Sequence, residues 1–178
     1  NPPASGLELV DGKSAKDNGT YRPGERITLG AKHEVVVRVR DDGVSVLCDE
    51  GVIFEWKGKA TQLSTHAMWD VPRKDQLFVG FQGPYVVHAA RLTPLGTANA
   101  KPTVDGWVSL FNGRDLTGWT QRTGVANSWK VVDGVLTASG SESYLVSDRK
   151  DFDDFQLRAE AKINDKGNGG IYFRVAKE

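Results

Sequence analysis

Arg158, Glu160, Tyr172 and Arg174 combine an aromatic ring with charged hydrogen-bonding groups on two successive segments of strand-like alternation. Sugars bind to such mixtures, because their C–H faces lie on rings while their hydroxyls pair with fixed polar groups. A solvated sheet face with a cross-strand Glu–Arg pair would use the same residues. Other chemistries find less support. Asp151, Asp153 and Asp154 are closely spaced acids, but they open a strand, where a solvated charged edge accounts for them. A serine triad lacks its Gly-x-Ser-x-Gly elbow. His33, His66 and His88 do not have the spacing of metal ligands, and His33 and His88 read as structural residues of strands. "NDKGNGG" offers Asn164, Asp165 and Asn168 as oxygen ligands without the closing Glu of a calcium loop; a hairpin turn explains it. Cys48 is the only cysteine, which excludes an internal disulfide or a paired-cysteine zinc site and fits a small buried hydrophobe. The substrate-binding candidates are therefore Arg158, Glu160, Tyr172 and Arg174, the catalytic residue is unassigned, and no metal or cofactor is expected.

The elements that must position these residues are strands. In "HEVVVRVRDDGVSVLCDEG", Val35, Val37 and Val39 share a face, Asp42-Gly43 is the expected turn, and Val44, Val46 and Cys48 return. "VIFEWKG" continues the meander, and further strands are expected at 76–81 and 85–92 about Gly83-Pro84. "TPLGTANAKPTVDG" has no periodicity and reads as a linker over 96–105. After it, "SWKVVDGVLTASG" folds about Asp133-Gly134 and "SYLVS" adds a strand. "FDDFQLRAEAKIND" then turns Phe155, Leu157, Ala159, Ala161 and Ile163 to one face and Gln156, Arg158, Glu160 and Lys162 to the other. "GIYFRV" is expected to return beside it as a hairpin, with Ile171, Phe173 and Val175 inward. About ten strands suffice for an all-β, antiparallel two-sheet sandwich. Trp56, Trp69, Trp107, Trp119 and Trp129 read as core or staple residues.

Composition narrows the partners. The 178 residues suit one ordinary domain or two small ones. Lys+Arg and Asp+Glu are equal at 23 each, a balance that gives no sign of a polyanion partner or an anionic membrane. No apolar run approaches the roughly 20 residues needed to cross a bilayer. Neither nucleic acid binding nor membrane insertion is expected. The opening "NPPASG" without an initiator Met reads as a piece of a longer polypeptide with flanking domains.

"GWVSLFNGRDLTGWT", "NSWKVVDGVLTASG", "YLVSDRKDFDDFQLRAEAKIND" and "GNGGIYFRV", in that order over residues 106–175, resemble the first half of the 3-keto-disaccharide hydrolase domain family, with Gly169 standing where the family has Ser. The resemblance implies a concanavalin A-like jelly roll. Residues 27–95 resemble the second half of a similar concanavalin A-like module. Residues 1–95 would then be the back half of one sandwich and 106–178 the front half of another, either closing together in a permuted arrangement or standing as two incomplete modules. A retaining glucanase of this fold would show a Glu-x-Asp-x-x-Glu run, which is absent. The resemblance implies a secreted, periplasmic or cell-envelope protein acting on an oligosaccharide or polysaccharide as a 3-keto-glycoside hydrolase. The ketone would acidify a neighbouring C–H for removal by a base. The alternatives are a non-catalytic glycan-binding or adhesive module and a structural spacer.

Overall fold

The structure is a computed structural model that describes residues 4–66, 77–82, 85–95, 106–122, 128–140, 143–163 and 168–173. Its strands in chain order are β1 (Ala4–Ser5), β2 (Leu9–Val10), β3 (Lys13–Ser14), β4 (Arg22–Pro23), β5 (Lys32–Arg40), β6 (Gly43–Cys48), β7 (Gly51–Lys57), β8 (Leu63–Ser64) and β9 (Phe78–Gln82). They continue with β10 (Tyr85–Pro94), β11 (Val108–Ser109), β12 (Trp119–Arg122), β13 (Trp129–Val132), β14 (Val135–Ala138), β15 (Ser143–Ser147), β16 (Phe155–Ile163) and β17 (Asn168–Tyr172). The protein is all-β, as expected. An eight-stranded sheet runs β13-β14-β10-β16-β5-β6-β7 with β11 added beside β10, and a four-stranded sheet runs β12-β15-β9-β17. Two small sheets, β1-β4 and β3-β2-β8, come from the first part of the chain and β8. No helix among the described residues is long and apolar enough to cross a membrane.

β16 organises the large sheet. Phe155, Leu157, Ala159 and Ala161 are buried at 1, 1, 2 and 5% exposure, while the residues between them are half-buried. On one side Leu157 lies opposite Leu92 of β10, and on the other opposite Val37 of β5. The apolar row then continues through Val46 of β6 to Phe54 of β7. Leu145, Val79 and Trp119 of the four-stranded sheet belong to the same core, and Ile171 packs against it. Burying one Leu in this row contributes about 1.5–3 kcal/mol, so a one-residue slip of β16 would be prohibitive. Val10 and Leu63 extend the core from a small sheet and Leu7 from the segment between β1 and β2, and buried Thr20 holds Leu7 there by accepting its N–H at 2.9 Å.

Two local expectations change. Arg40 pairs with Gly43, so Asp41-Asp42 form the β5–β6 turn and Gly43 already lies in β6. A Cβ at Gly43 would stand 2.4 Å from the Trp56 carbonyl oxygen, so glycine is needed there for the approach of β7. The expected hairpin of residues 155–163 with 170–175 does not form. Both edges of β16 are occupied by β10 and β5, and β17 pairs instead with β9 in the other sheet. Both strands still face the core: Ile171 and Phe173 pack on it, and the Phe173 ring meets Phe155 edge-on at 6.3 Å. The Asp133-Gly134 turn forms as expected, with φ of 51° and 77°, the left-handed pair that a two-residue hairpin requires.

The stretch from Leu110 to Trp119 is folded by its own side chains. Asn112 Oδ1 accepts the N–H groups of Arg114 and Asp115, and Asn112 Nδ2 donates to Asp115 Oδ1. Asp115 Oδ1 also accepts Thr117 N–H at 2.8 Å. The loop ends with Trp119, 7% exposed, whose Nε1 donates to the Leu110 carbonyl. Hydrogen bonds from Thr117 and Asn112 hold the Asp115 carboxyl down to about 2. A carboxylate lowered on folding adds stability above its unfolded value of about 3.9, and that stability fades as pH falls toward the folded value. Thermal melts between about pH 5 and pH 2 should therefore show Asp115→Asn less stable than the parent at the upper end and converging with it at the lower. A pH-independent difference would contradict this role.

Candidate functional site

The solvent face of the large sheet is set by the alternation that builds its core. With Val87, Ala90 and Leu92 inward, β10 turns Ala89, Arg91 and Thr93 outward. A bulge between Val87 and Ala89 breaks the period, so His88 joins Ala89 on the outer side. β16 contributes Gln156, Arg158, Glu160 and Lys162, and β5 contributes Lys32, Glu34, Arg38 and Arg40. Trp107, one residue before β11, places its ring beside this face, with the Arg158 guanidinium 5.0 Å from the ring centroid.

Where both direct cross-strand neighbours on this face are charged, they are alike in sign. Arg91 stands opposite Arg158, Glu160 opposite Glu34, and Lys162 opposite Lys32. Like charges in such positions destabilise a sheet. The compensation is diagonal: Lys32 Nζ lies 2.8 Å from Glu160 Oε2, and Arg158 Nε lies 3.4 Å from Glu34 Oε2. The second contact is an ion pair without a hydrogen bond, so the shielded Arg158 Nε has no hydrogen-bond partner among the described residues. The His88 Nε2 is in the same condition. The Lys32 ammonium, followed by the charges of Arg91 and His88, holds the Glu160 carboxyl below its usual range.

Directly opposite side chains start about 4.5–5.5 Å apart, close to the carboxyl separation of retaining glycosidases. Glu34 and Glu160 start from such positions, but Glu160 reaches toward Lys32 and Glu34 toward Arg158, so the two carboxyls lean apart along the strands. Their electrostatics do not suit the reaction, because its acid needs a raised pKa and Glu160 is kept ionised.

Of the four sequence candidates, the structure brings Arg158 and Glu160 together on this face. Tyr172 lies on β17, in the four-stranded sheet. It alternates with core-facing Ile171, shares its side of that sheet with buried Tyr144 and Val146, and lays its ring against Gly170. Arg174 lies outside the described residues. Arg91, His88, Glu34 and Trp107 were not singled out for this face from sequence. The broken alternation in Val87-His88-Ala89-Ala90 is the signal that could have indicated the bulge.

Among the described residues, two other clusters have ligand-type atoms within 4.8 Å of one another. In His33, Cys48 and Asp49, His33 Nδ1 is 2.6 Å from Asp49 Oδ2 and His33 Nε2 accepts Thr28 N–H at 2.9 Å. The Thr28 bond requires a bare Nε2, so the proton sits on Nδ1 and is donated to Asp49. A metal on Nδ1 would need the opposite tautomer. Asp49 also accepts Glu34 N–H, and this bond, followed by His33, lowers its pKa. Burial, then the Asp49 charge, pushes the Cys48 thiol up, away from the thiolate that binds metals. The group is a clamp on the ends of β5 and β6. Asp41, Asp153 and Asp154 form the second cluster. Neighbouring Asp151 is held by both hydrogen bonds of an Arg149 fork.

Comparison with known proteins gives a family likeness for part of the chain. Residues 106–178 match the 3-keto-alpha-glucoside-1,2-lyase-like domain family, as the motif order implied. A 3-keto-disaccharide hydrolase of Bacteroides thetaiotaomicron is 28% identical over 79 residues, covering 39% of this chain and 27% of the relative. The matched region thus spans about a quarter of that curated relative's length.

The Lys32 and Glu160 side chains are 56% and 35% exposed, so their pair should add little to stability. A double-mutant cycle with Lys32→Ala and Glu160→Gln should give a coupling of no more than about 1 kcal/mol that shrinks with added salt. A salt-insensitive coupling of several kcal/mol would show the pair to be a structural element.

Proposed function

We propose that this chain is a carbohydrate-handling β-sandwich whose large sheet binds an oligosaccharide on its outer face, with Arg158 and Glu160 as hydrogen-bonding residues. The observation that carries the reading is the Arg158 guanidinium held over the Trp107 ring on a side chain that stays 42% exposed. A fixed cation beside a ring offers a sugar hydroxyl a charge-assisted bond, and Glu160 adds an ionised acceptor. The likeness of residues 106–178 to the 3-keto-alpha-glucoside-1,2-lyase-like domains directs the choice of sugar to 3-keto-glycosides. Their ketone acidifies the adjoining C–H, so the glycosidic bond can be opened by proton removal rather than by a pair of carboxylic groups. That route is compatible with a face whose carboxylates are both ion-paired.

The same ion pairing favours a second reading, a glycan-binding module without catalysis. A 3-keto-disaccharide titrated into the protein, with product formation followed in parallel, separates the two. Turnover supports the enzyme and saturable binding without turnover the module. In either case Arg158→Ala should weaken binding about tenfold to a hundredfold, as expected for a lost bond worth about 1.5–3 kcal/mol. Its melting temperature should stay near the parent's. Unchanged affinity in a folded Arg158→Ala variant would remove Arg158 from the site, and no sugar binding by the parent would remove the proposal.

A further inference from the structure

The chain is neutral overall, with a formal net charge of +0, yet its charges are not evenly placed. The three central strands of the large sheet, β10, β16 and β5, carry six Lys and Arg residues and two Glu, a net of +4. All eight lie on the outer face, because the alternating positions are occupied by core residues. Lys32 and Arg158 are offset by Glu160 and Glu34. Among the described residues Arg38 donates only to the neutral Gln156 amide. Arg40, Arg91 and Lys162 have no ion pair among the described residues. Arg91 and Lys162 flank the Arg158–Glu160 pair: Arg91 directly faces Arg158, and Lys162 follows Glu160 on the same strand face.

From this placement we infer that the oligosaccharide bound on the outer face is an acidic one, carrying carboxylate or sulfate groups that meet Arg91 and Lys162. The inference rests on the glycan-binding reading of the face and names its substrate class. A like-charge pair only partly offset by neighbouring carboxylates, as Arg91 and Arg158 are, is unfavourable in the free protein and is relieved when an anion sits between the cations. Arg91 stands at the register of Arg158, and Lys162 lies four residues further along that strand, about 13 Å at roughly 3.3 Å per residue, so a chain with repeated anionic groups can meet Arg91 and Lys162 together. A neutral sugar would leave these cations with water alone. A nucleic acid would also find positive charge here, but the likeness of residues 106–178 to the 3-keto-alpha-glucoside-1,2-lyase-like domains favours a sugar.

Isothermal titration of the whole chain with a galacturonate tetrasaccharide, a sulfated galactose tetrasaccharide, the neutral galactose tetrasaccharide and a single-stranded oligonucleotide tests this. At low salt at least one acidic sugar should bind about tenfold or more tightly than the neutral sugar, with the advantage falling as salt is raised. Which of the two binds tells carboxylate from sulfate. Arg91→Glu and Lys162→Glu, each confirmed folded by thermal melting, should abolish the preference. Equal affinity for neutral and acidic sugars would overturn the inference while leaving glycan binding intact. An oligonucleotide bound as tightly as the acidic sugars would overturn it as unspecific attraction. No sugar bound at all would overturn the glycan-binding reading and this inference with it.

Discussion

A nine-residue strand with one apolar face cannot be stable alone. Its backbone N–H and C=O groups need partners on both edges, and its buried side chains need a facing layer. β16 finds both edges in β10 and β5, which come from a region of the chain 60 or more residues earlier in sequence. Its facing layer comes from β15, β9 and β17. The sandwich therefore depends on pairings made across a long stretch of sequence, and each part of the chain covers the edges and apolar face that the other would expose.

That same pairing makes the surface. Register is fixed by the rows Leu92–Leu157–Val37 and Ala90–Ala159–Val35 inside, so the outside has no freedom over which charges meet. Arg91 is held to Arg158, and Glu34 to Glu160, by a core that the charges do not touch. Diagonal ion pairs offset part of the repulsion, but exposed pairs are weak, and the cations left over give a neutral protein a positive face. Composition could not disclose this, because equal totals of acid and base say nothing about where each is placed.

How much was legible in the sequence follows from which forces act locally. The β5–β6 hairpin was legible, its turn aside, because Val35, Val37 and Val39 share one face and Val44 and Val46 return on it, as was the inward face of β16 by the same alternation. The partner of β17 was not. Ile171 and Phe173 alternate toward the core whether the strand lies beside β16 or across from it, since period two reports a face and not a neighbour. Tyr172 consequently falls on a different sheet from Arg158. Arg91 escaped notice because the bulge at Val87/Ala89 shifts the alternation by one residue. The strands of two residues in 4–24 are too short to show any period, and are held partly by side chains such as Thr20 and Asn18. The His33–Asp49 clamp depends on the Thr28 N–H, a backbone group that has no signature in sequence.

Native-state amide hydrogen exchange tests the central claim most directly, because it reads the opening of each strand separately. If β16 is held from both sides, the amides of Leu157 and Ala159 should exchange with the same opening free energy as those of Val37 in β5 and Ala90 in β10. All should shift together when Leu157→Val weakens the shared core row. Protection of β5 and β10 that stays unchanged while β16 exchanges at a lower free energy would contradict the account.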